Sequence, residues 1–505
     1  MLKIKLSLLS LALAPLFASA QVTQIAPAAP NAPLSNAQET MPSLMKFSLE
    51  SVKMPGNEKM GLLGGNYLLE LSQDVFVGPA VYGSVSGKRG GLFVGGIEAT
   101  WRKRLASSLT IEPGIYVGGG GGGSAGVGGG LMVRPHVDLL WHTKGSAYGL
   151  SVSEVRFPNG HINSNQIGLV ASFDEDFTFT QPGLGGKSLL SSQRGGVGFD
   201  RIMLNVGNYN PRSSSVKLDG TAPGNIGYAG FRADQFLNEN VFWGLEAGAF
   251  ARGTSDGYAE VLGAVGVEYP VLSDKLKVGA VAALGTGGGG RIDVGGGALV
   301  KGGVYAHWQV TKYIFVGLEA GMADSPNGNF KSRYELLQVG LQLDSANRSS
   351  SGSDIRSIRD AEWALDGADY LNAARKGGAK QSLQTIGFVM NRDISDSVYL
   401  SGQAHSALKG NAGGFSIGLV GLGLRSPEIT HGISFGVEGL VGAAGGGGVD
   451  SQGGAIVQAI PYANVALGKH VALRIGVGRV HSLKGEFNST VANVALAVPF
   501  GLPGR

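Results

Sequence analysis

A glycine-rich stretch occurs three times in this chain, and its recurrence constrains the fold more than any other feature. Residues 116–130 read YVGGGGGGSAGVGGG, residues 287–301 read GGGGRIDVGGGALVK, and residues 445–458 read GGGGVDSQGGAIVQ. Aligning Arg134, Lys301 and Gln458 sets offsets of 167 and 157 residues. A second landmark follows each stretch: FPNGHINS (157–164), SPNGNFKS (325–332) and SLKGEFNS (482–489). Their glycines, Gly160, Gly328 and Gly485, stand 168 and 157 residues apart. Two landmarks agree to one residue. The chain therefore reads as three tandem copies of about 160 residues, a period far too long for a short-repeat solenoid.

Within a copy, alternation with period two dominates, the mark of half-buried strands. Phe93, Gly95, Ile97, Ala99 and Trp101 share one face, and Val94, Gly96, Glu98, Thr100 and Arg102 the other. Leu109, Ile111, Pro113, Ile115 and Val117 oppose Thr110, Glu112, Gly114 and Tyr116. Val133, Val137, Leu139 and Trp141 oppose Arg134, His136, Asp138 and His142. In the second copy Val300, Val304, Ala306 and Trp308 oppose Lys301, Tyr305, His307 and Gln309. One face is apolar and the other carries charge or glycine. Trp141 and Trp308 end their strands where the apolar face stops, as expected at a membrane–water boundary.

Composition points the same way. The segment MLKIKLSLLSLALAPLFASA has a basic start (Lys3, Lys5), an apolar centre and the small-x-small end Ala18-Ser19-Ala20. It predicts a signal peptide over 1–20, cleaved after Ala20. A flexible Pro/Ala-rich leader is expected over 21–43. The absence of cysteine removes disulfides, thiolate metal sites and cysteine nucleophiles together. No later stretch reaches about 18 apolar residues, so no transmembrane helix is expected. Only 15% of residues are charged and 86 of 505 are glycine, against usual shares of about 25% and ~7%. Such an exported chain fits strands that meet lipid one face at a time. A net charge of +4 is small for this length and gives no reason to expect nucleic acid as a partner.

Copy one offers eight strand-like segments: 44–53, 60–72, 74–85, 91–102, 108–118, 129–142, 147–157 and 165–173. Eight per copy predicts an all-β, antiparallel outer-membrane β-barrel of about 24 strands, within the range of this class. Repeats are placed at 44–195, 196–352 and 353–505, with a helix allowed over 353–377. Three consecutive 8-stranded barrels are the alternative. Small barrels fill their interiors with side chains, whereas these polar faces mix glycine with single charges, so one wide barrel is favoured.

The whole mature chain resembles bacterial outer-membrane β-barrel proteins of the porin-like class. Its last strand, VANVALAVPF, ends on Phe500 as such barrels end on an aromatic, although GLPGR follows here. LRIGVGRVHSLKGEFNS has a local likeness to lipid A deacylase barrels, but His481 and Ser482 are adjacent. On a strand they face opposite sides and do not form a base–nucleophile pair. No enzyme activity and no cofactor or metal is expected.

The glycine runs are not phosphate loops, because none is followed by Gly-Lys-Ser/Thr and a helix. Each reads instead as a hairpin in which glycine marks a bend or a close backbone approach. Two accounts stay open: inheritance by duplication, or bare patches against which a plug, polymer or partner lies. The function expected is an outer-membrane channel or export conduit with passive passage through a polar lumen. The alternatives are a lipid-modifying barrel enzyme and a structural or adhesive surface barrel. Glu98, Glu112, Arg134, His136, Asp138, Lys301, Tyr305, His307 and Gln458 are the lumen-lining candidates. Glu98, Glu112 and Asp138 could alternatively hold a cation, though solvated wall charges are the plainer account. Expected partners are outer-membrane lipid, the barrel-assembly machinery and an unidentified solute or polymer cargo.

Overall fold

The computed structural model describes residues 33–504, apart from residues 35, 192, 273–274, 344–353 and 431. The predicted signal peptide, its cleavage point and most of the leader lie outside the described residues.

Twenty-six strands follow one another, with a single 3-10 turn at Pro55–Asn57 among the described residues. The first group is β1 (Gln38–Lys53), β2 (Lys59–Ser72), β3 (Val75–Ser86), β4 (Phe93–Trp101), β5 (Lys103–Ala106), β6 (Leu109–Gly121), β7 (Met132–His142), β8 (Ser146–Arg156) and β9 (Asn163–Thr180). The short β10 (Ser188–Ser191) lies in the connection. The second group is β11 (Arg201–Pro211), β12 (Ile226–Phe236), β13 (Val241–Arg252), β14 (Ala259–Leu272), β15 (Leu276–Gly288), β16 (Ala298–Gln309), β17 (Ile314–Asp324) and β18 (Lys331–Gln342). The third is β19 (Asp354–Leu371), β20 (Leu383–Asp393), β21 (Val398–Lys409), β22 (Ser416–Arg425), β23 (Ile433–Gly445), β24 (Ala455–Ala466), β25 (Ala472–Ser482) and β26 (Asn488–Gly504).

Each group pairs antiparallel, neighbour to neighbour, and then closes on itself. In the first, β5 continues β4, and β9 returns to β1 with Gln38 opposite Thr180 and Glu50 opposite Gly168. In the second, β18 returns to β11. In the third, β26 returns to β19. The wide ring of about 24 strands is therefore overturned: three separate eight-stranded barrels form. Barrels one and three also touch below their rims, where Gly501 of β26 pairs Thr180 of β9 and β10 pairs β19.

Two smaller expectations also change. The leader ends earlier, because residues 38–43 already pair in β1. The helix allowed over 353–377 is absent from the described part of that range. Asp354–Leu371 is strand β19, with Ile358, Glu362, Ala364, Asp366, Ala368 and Tyr370 buried on one face. Its alanines and acids favour helix weakly, and ladders to β20 and β26 on both edges override that preference.

The polarity is that of a transmembrane barrel. Ile167, Leu169, Val206, Val304, Leu318 and Val477 point outward and are exposed, whereas Lys46, Glu112, Arg232 and Glu319 are buried inside. A closed barrel with an apolar exterior satisfies its backbone internally and suits a hydrocarbon solvent. No helix among the described residues is long and apolar enough to cross a membrane. Trp141 and Trp308 lie on the outward face at strand ends.

The two ends of each barrel differ. At the end holding each barrel's first and last residues, the turns are two to seven residues long; at the other, the loops are five to fourteen. The long-loop end folds inward as an apolar cap. In barrel one Met54, Leu92, Val127, Phe157 and Ile162 pack into one buried cluster with strand residues.

The glycine hairpins sit at this capped end and hold the barrels together. The β3–β4 loop of barrel one meets the β15–β16 hairpin of barrel two, where Gly90 N–H donates to Gly295 O at 2.9 Å. The β13–β14 loop of barrel two meets the β23–β24 hairpin of barrel three, with Gly257 against Gly446. The β21–β22 loop of barrel three meets the β6–β7 hairpin of barrel one, where Gly413 N–H donates to Gly128 O at 3.1 Å. The same two edges are used each time, so the contacts close into a ring of three. A Cβ at Gly91, Gly121 or Gly445 would collide with the neighbouring barrel's backbone. Gly123, Gly290 and Gly447 take φ of 55°, 56° and 56°, one left-handed path in three hairpins. Within each barrel the second landmark packs on the hairpin: His161, Asn329 and Phe487 N–H donate to Gly126, Asp293 and Asp450 O.

Candidate functional site

Most of the buried charges sit on inward faces, and in a ring of eight they come within reach of one another across the interior. In barrel one Lys46 of β1 reaches Glu112 of β6 at 3.0 Å and Asp138 of β7 at 2.7 Å. Neither strand neighbours β1, so these contacts cross the lumen. Arg134 of β7 meets Glu50 of β1 at 2.7 Å, and its guanidinium lies over Tyr82. Tyr82 donates to Glu98 at 2.7 Å. Arg102, nearer the rim, holds the other oxygen of Glu112 at 2.6 Å. His136 Nε2 stands 3.6 Å from both Glu98 and Asp138.

Barrel two repeats the scheme with more charge. Lys301 is held by Glu246 and by Glu260, the latter at 2.9 Å, under the rings of Tyr209, Tyr228 and Tyr334. Arg201 bridges Asp234 at 2.8 Å and Glu268 at 2.5 Å. Arg232 bridges Asp234 at 3.3 Å and Glu319 at 2.8 Å. Tyr305 donates to Glu268 at 3.2 Å, and His307 pairs with Gln338 at 2.8 Å. In barrel three Arg474 joins Glu362 at 2.6 Å and Glu438 at 3.1 Å, while Tyr399 and Gln403 also donate to Glu438.

All nine sequence candidates are buried inside the barrels. Glu98, Glu112, Arg134, His136 and Asp138 join one network, and Lys301, Tyr305 and His307 join those of barrel two. Gln458 lies inward on β24 between buried Ile456 and Ile460, without a partner for its Oε1. The expectation that they line a wide lumen is corrected: they help fill three narrow ones. The acidic trio Glu98, Glu112 and Asp138 already has an internal cation in Lys46. Sequence reasoning missed Lys46, Glu50, Arg201, Arg232, Glu246, Glu260, Glu362, Glu438 and Arg474. Their signal was present as charge at inward parity on strands whose partners across the ring were unknown.

Glycine on the inward face has a second explanation. Tyr82 stands opposite Gly64, His136 opposite Gly114, Tyr305 opposite Gly279, Tyr399 opposite Gly423 and Tyr462 opposite Gly436. In each pair the ring lies where a Cβ of the glycine would stand. A bare position on one strand is thus filled by the aromatic of the next, a pairing that also lets the sheet curve tightly.

His481 is exposed on the outer wall, and Ser482 points inward, its hydroxyl donating to Ser451 O at 2.7 Å. Among the described residues no group of three or more His, Asp or Glu side chains is arranged to hold a metal ion.

No protein-family model and no curated protein matches the chain. Among solved structures it is similar to the siderophore receptor PirA from Acinetobacter baumannii, at 10% identity and a TM-score of 0.28, over 92% of this chain and 80% of that one. It is similar to OccAB3 from the same organism, at 9% identity and 0.22, over 92% and 99%. It is also similar to the ferric enterobactin receptor PfeA from Pseudomonas aeruginosa, at 11% identity and 0.29, over 92% and 81%. These are outer-membrane β-barrel proteins of Gram-negative bacteria. At such scores the likeness carries no argument about how this chain closes or what it does.

Proposed function

We propose that this chain is an outer-membrane barrel protein of the transport type, whose barrels are closed at rest and gated by their interior ion pairs. One observation supports the reading above others. Lys46, Lys301, Arg201, Arg232 and Arg474 are each shared between two carboxylates on different strands. A cation held by two acids can lean on one and release the other without ever becoming a lone buried charge, which would cost several kcal/mol, on the order of 3–5. Ionisable groups at membrane depth are expensive and mark pathways more often than scaffolding. Passage would then be of small ions, in brief openings; polymer cargo does not fit an eight-stranded interior. Triplication of one barrel unit accounts for three such interiors on one chain. Outer-membrane location, export through the predicted signal peptide and folding by the barrel-assembly machinery belong to the same reading.

A second reading is favoured by the apolar caps, which seal the long-loop end of each barrel: a structural or adhesive surface protein that conducts nothing. Planar-bilayer recording separates the two. The gated reading expects rare, short openings in the wild type and a several-fold higher open probability in Glu246→Gln, where Lys301 keeps one acid only. Silence in the wild type and in this variant, with both correctly folded, sinks gating and leaves the structural reading.

A further inference from the structure

The outer wall of barrel one is apolar at mid-height and basic just below the long-loop rim. Lys53 of β1 and Lys59 of β2 are direct register partners, both exposed and outward. On the other side of Lys53 runs β9, whose Asn163 and Asn165 point outward, exposed. Arg156 of β8 stands opposite Asn163. Its guanidinium also touches Glu154, the one carboxylate on this stretch of wall. Three cations and two amides thus form one patch of formal charge +2. Directly below, along β1, β8 and β9, lie Leu49, Ile167, Leu169, Val152 and Leu150, the most exposed being Ile167 at 67%. The neighbouring barrels do not cover this wall: toward the long-loop end barrel one meets them through β3, β4 and β6 and their loops, and these side chains stay exposed.

A patch of cations and amide groups above a bare apolar wall matches one class of molecule: an amphiphile with an anionic, hydroxyl-rich head and several acyl chains. We propose that this wall binds a phosphorylated glycolipid of the outer leaflet. Lys53, Lys59 and Arg156 hold its phosphates, and Asn163 and Asn165 its sugar hydroxyls. The leaflet follows from the loops: transmembrane barrels carry short turns on the periplasmic side and longer loops outside. Lysine and arginine at an apolar–polar boundary keep their heads in the polar layer while their stems lie on the apolar wall. On the corresponding wall of barrel three, exposed His481 stands at the place of Arg156, and Arg479 donates to Thr490 at 3.3 Å.

The proposal rests on the membrane reading but not on gating. The test reconstitutes the full chain in phosphatidylcholine nanodiscs doped with diphosphoryl lipid A, dephosphorylated lipid A or phosphatidylglycerol. Native mass spectrometry then counts the lipids each protein retains. One retained diphosphoryl lipid A per chain is expected. A basic side chain at an anionic lipid surface is worth about fivefold in affinity, so Lys53→Gln/Lys59→Gln/Arg156→Gln predicts a loss on the order of a hundredfold. These residues lie outside the barrel interior, so the variant keeps the heat-modifiable band of the folded protein. Arg479→Gln is expected to change nothing. Undiminished retention by the triple variant, or equal retention of the dephosphorylated lipid, overturns the site. Equal retention of phosphatidylglycerol overturns the glycolipid assignment. Failure of the wild type to insert into any bilayer overturns the membrane reading itself, an outcome distinct from unselective binding by an inserted protein.

Discussion

Barrels two and three are the same ring of eight strands filled in two different ways. Barrel two packs Arg201, Arg232 and Lys301 against five carboxylates and a wall of aromatic rings. Barrel three has, among the described residues, one deep interior cation, Arg474, with Arg425 at its lower rim. Its lower interior is lined by Ala364, Val389, Ala472, Ala495 and Ala497, where barrel two has Phe236 and Phe242. Asp366 in barrel three meets no cation; it accepts from Asn493 at 3.2 Å and lies 3.9 Å from His405. The closed backbone is therefore not dictated by one interior recipe. Closure needs the volume filled, and how many charges help to fill it is free to vary.

The comparison predicts which charge matters most. Arg474→Met removes the cation that pairs with both Glu362 and Glu438, and removing one partner of a buried pair costs about 3–5 kcal/mol. Lys301→Met strands Glu246 and Glu260 as well, but Arg232 remains within the same interior, so the expected loss is nearer the lower end, about 3 kcal/mol. Urea unfolding in lipid vesicles, followed by heat-modifiable gel mobility, ranks the two. A larger loss for Lys301→Met would break the idea that the count of interior cations sets each one's weight.

The next effect concerns how glycine is used. Gly423 faces inward in barrel three, opposite Tyr399, whose ring occupies the space of a side chain there. Gly423→Ala forces that ring aside, and the hydrogen bond from Tyr399 to Glu438 at 2.8 Å moves with it. Overpacking of this kind costs about 1–3 kcal/mol. Adding Tyr399→Phe should recover part of the loss, because the ring no longer has to hold the carboxylate. If the double variant is no better than Gly423→Ala, the ring is not what makes that glycine necessary.

These glycines also mark where the sequence stopped being readable. Alternation named the two faces of β4, β6 and β7, and the landmark glycines Gly160, Gly328 and Gly485 pack on the hairpins they follow. Period two reports which way a side chain points but says nothing of curvature, so one ring and three rings leave the same trace. Read along one strand, an inward glycine points to an empty lumen. Their space is filled by Tyr82, Tyr399 or Tyr462 from the neighbouring strand, a relation set by register. Likewise Lys46 and Asp138 are 92 residues apart and become a pair only once β1 and β7 face each other across a closed ring. The hairpin glycines needed the other barrels in view, since Gly91 and Gly121 are bare for the sake of a neighbour's backbone.

The smallest expected effect tests the same residue type on the opposite face. Gly418 of β22 points outward, and nothing lies within 4 Å of where its Cβ would stand. Its φ is not in the left-handed region, so alanine fits the backbone as it is. Glycine in a strand gives up more freedom on folding than alanine does, by roughly 0.5–1 kcal/mol. Gly418→Ala is therefore expected to raise stability by about 0.5 kcal/mol, seen as a small upward shift of the urea midpoint with an unchanged slope. Gly423→Ala and Gly418→Ala are one methyl each, five residues apart on one strand, with opposite signs predicted. Should Gly418→Ala destabilise as much as Gly423→Ala, the cost of a methyl group would belong to the strand, and the account of inward glycines as seats for aromatic rings would fall.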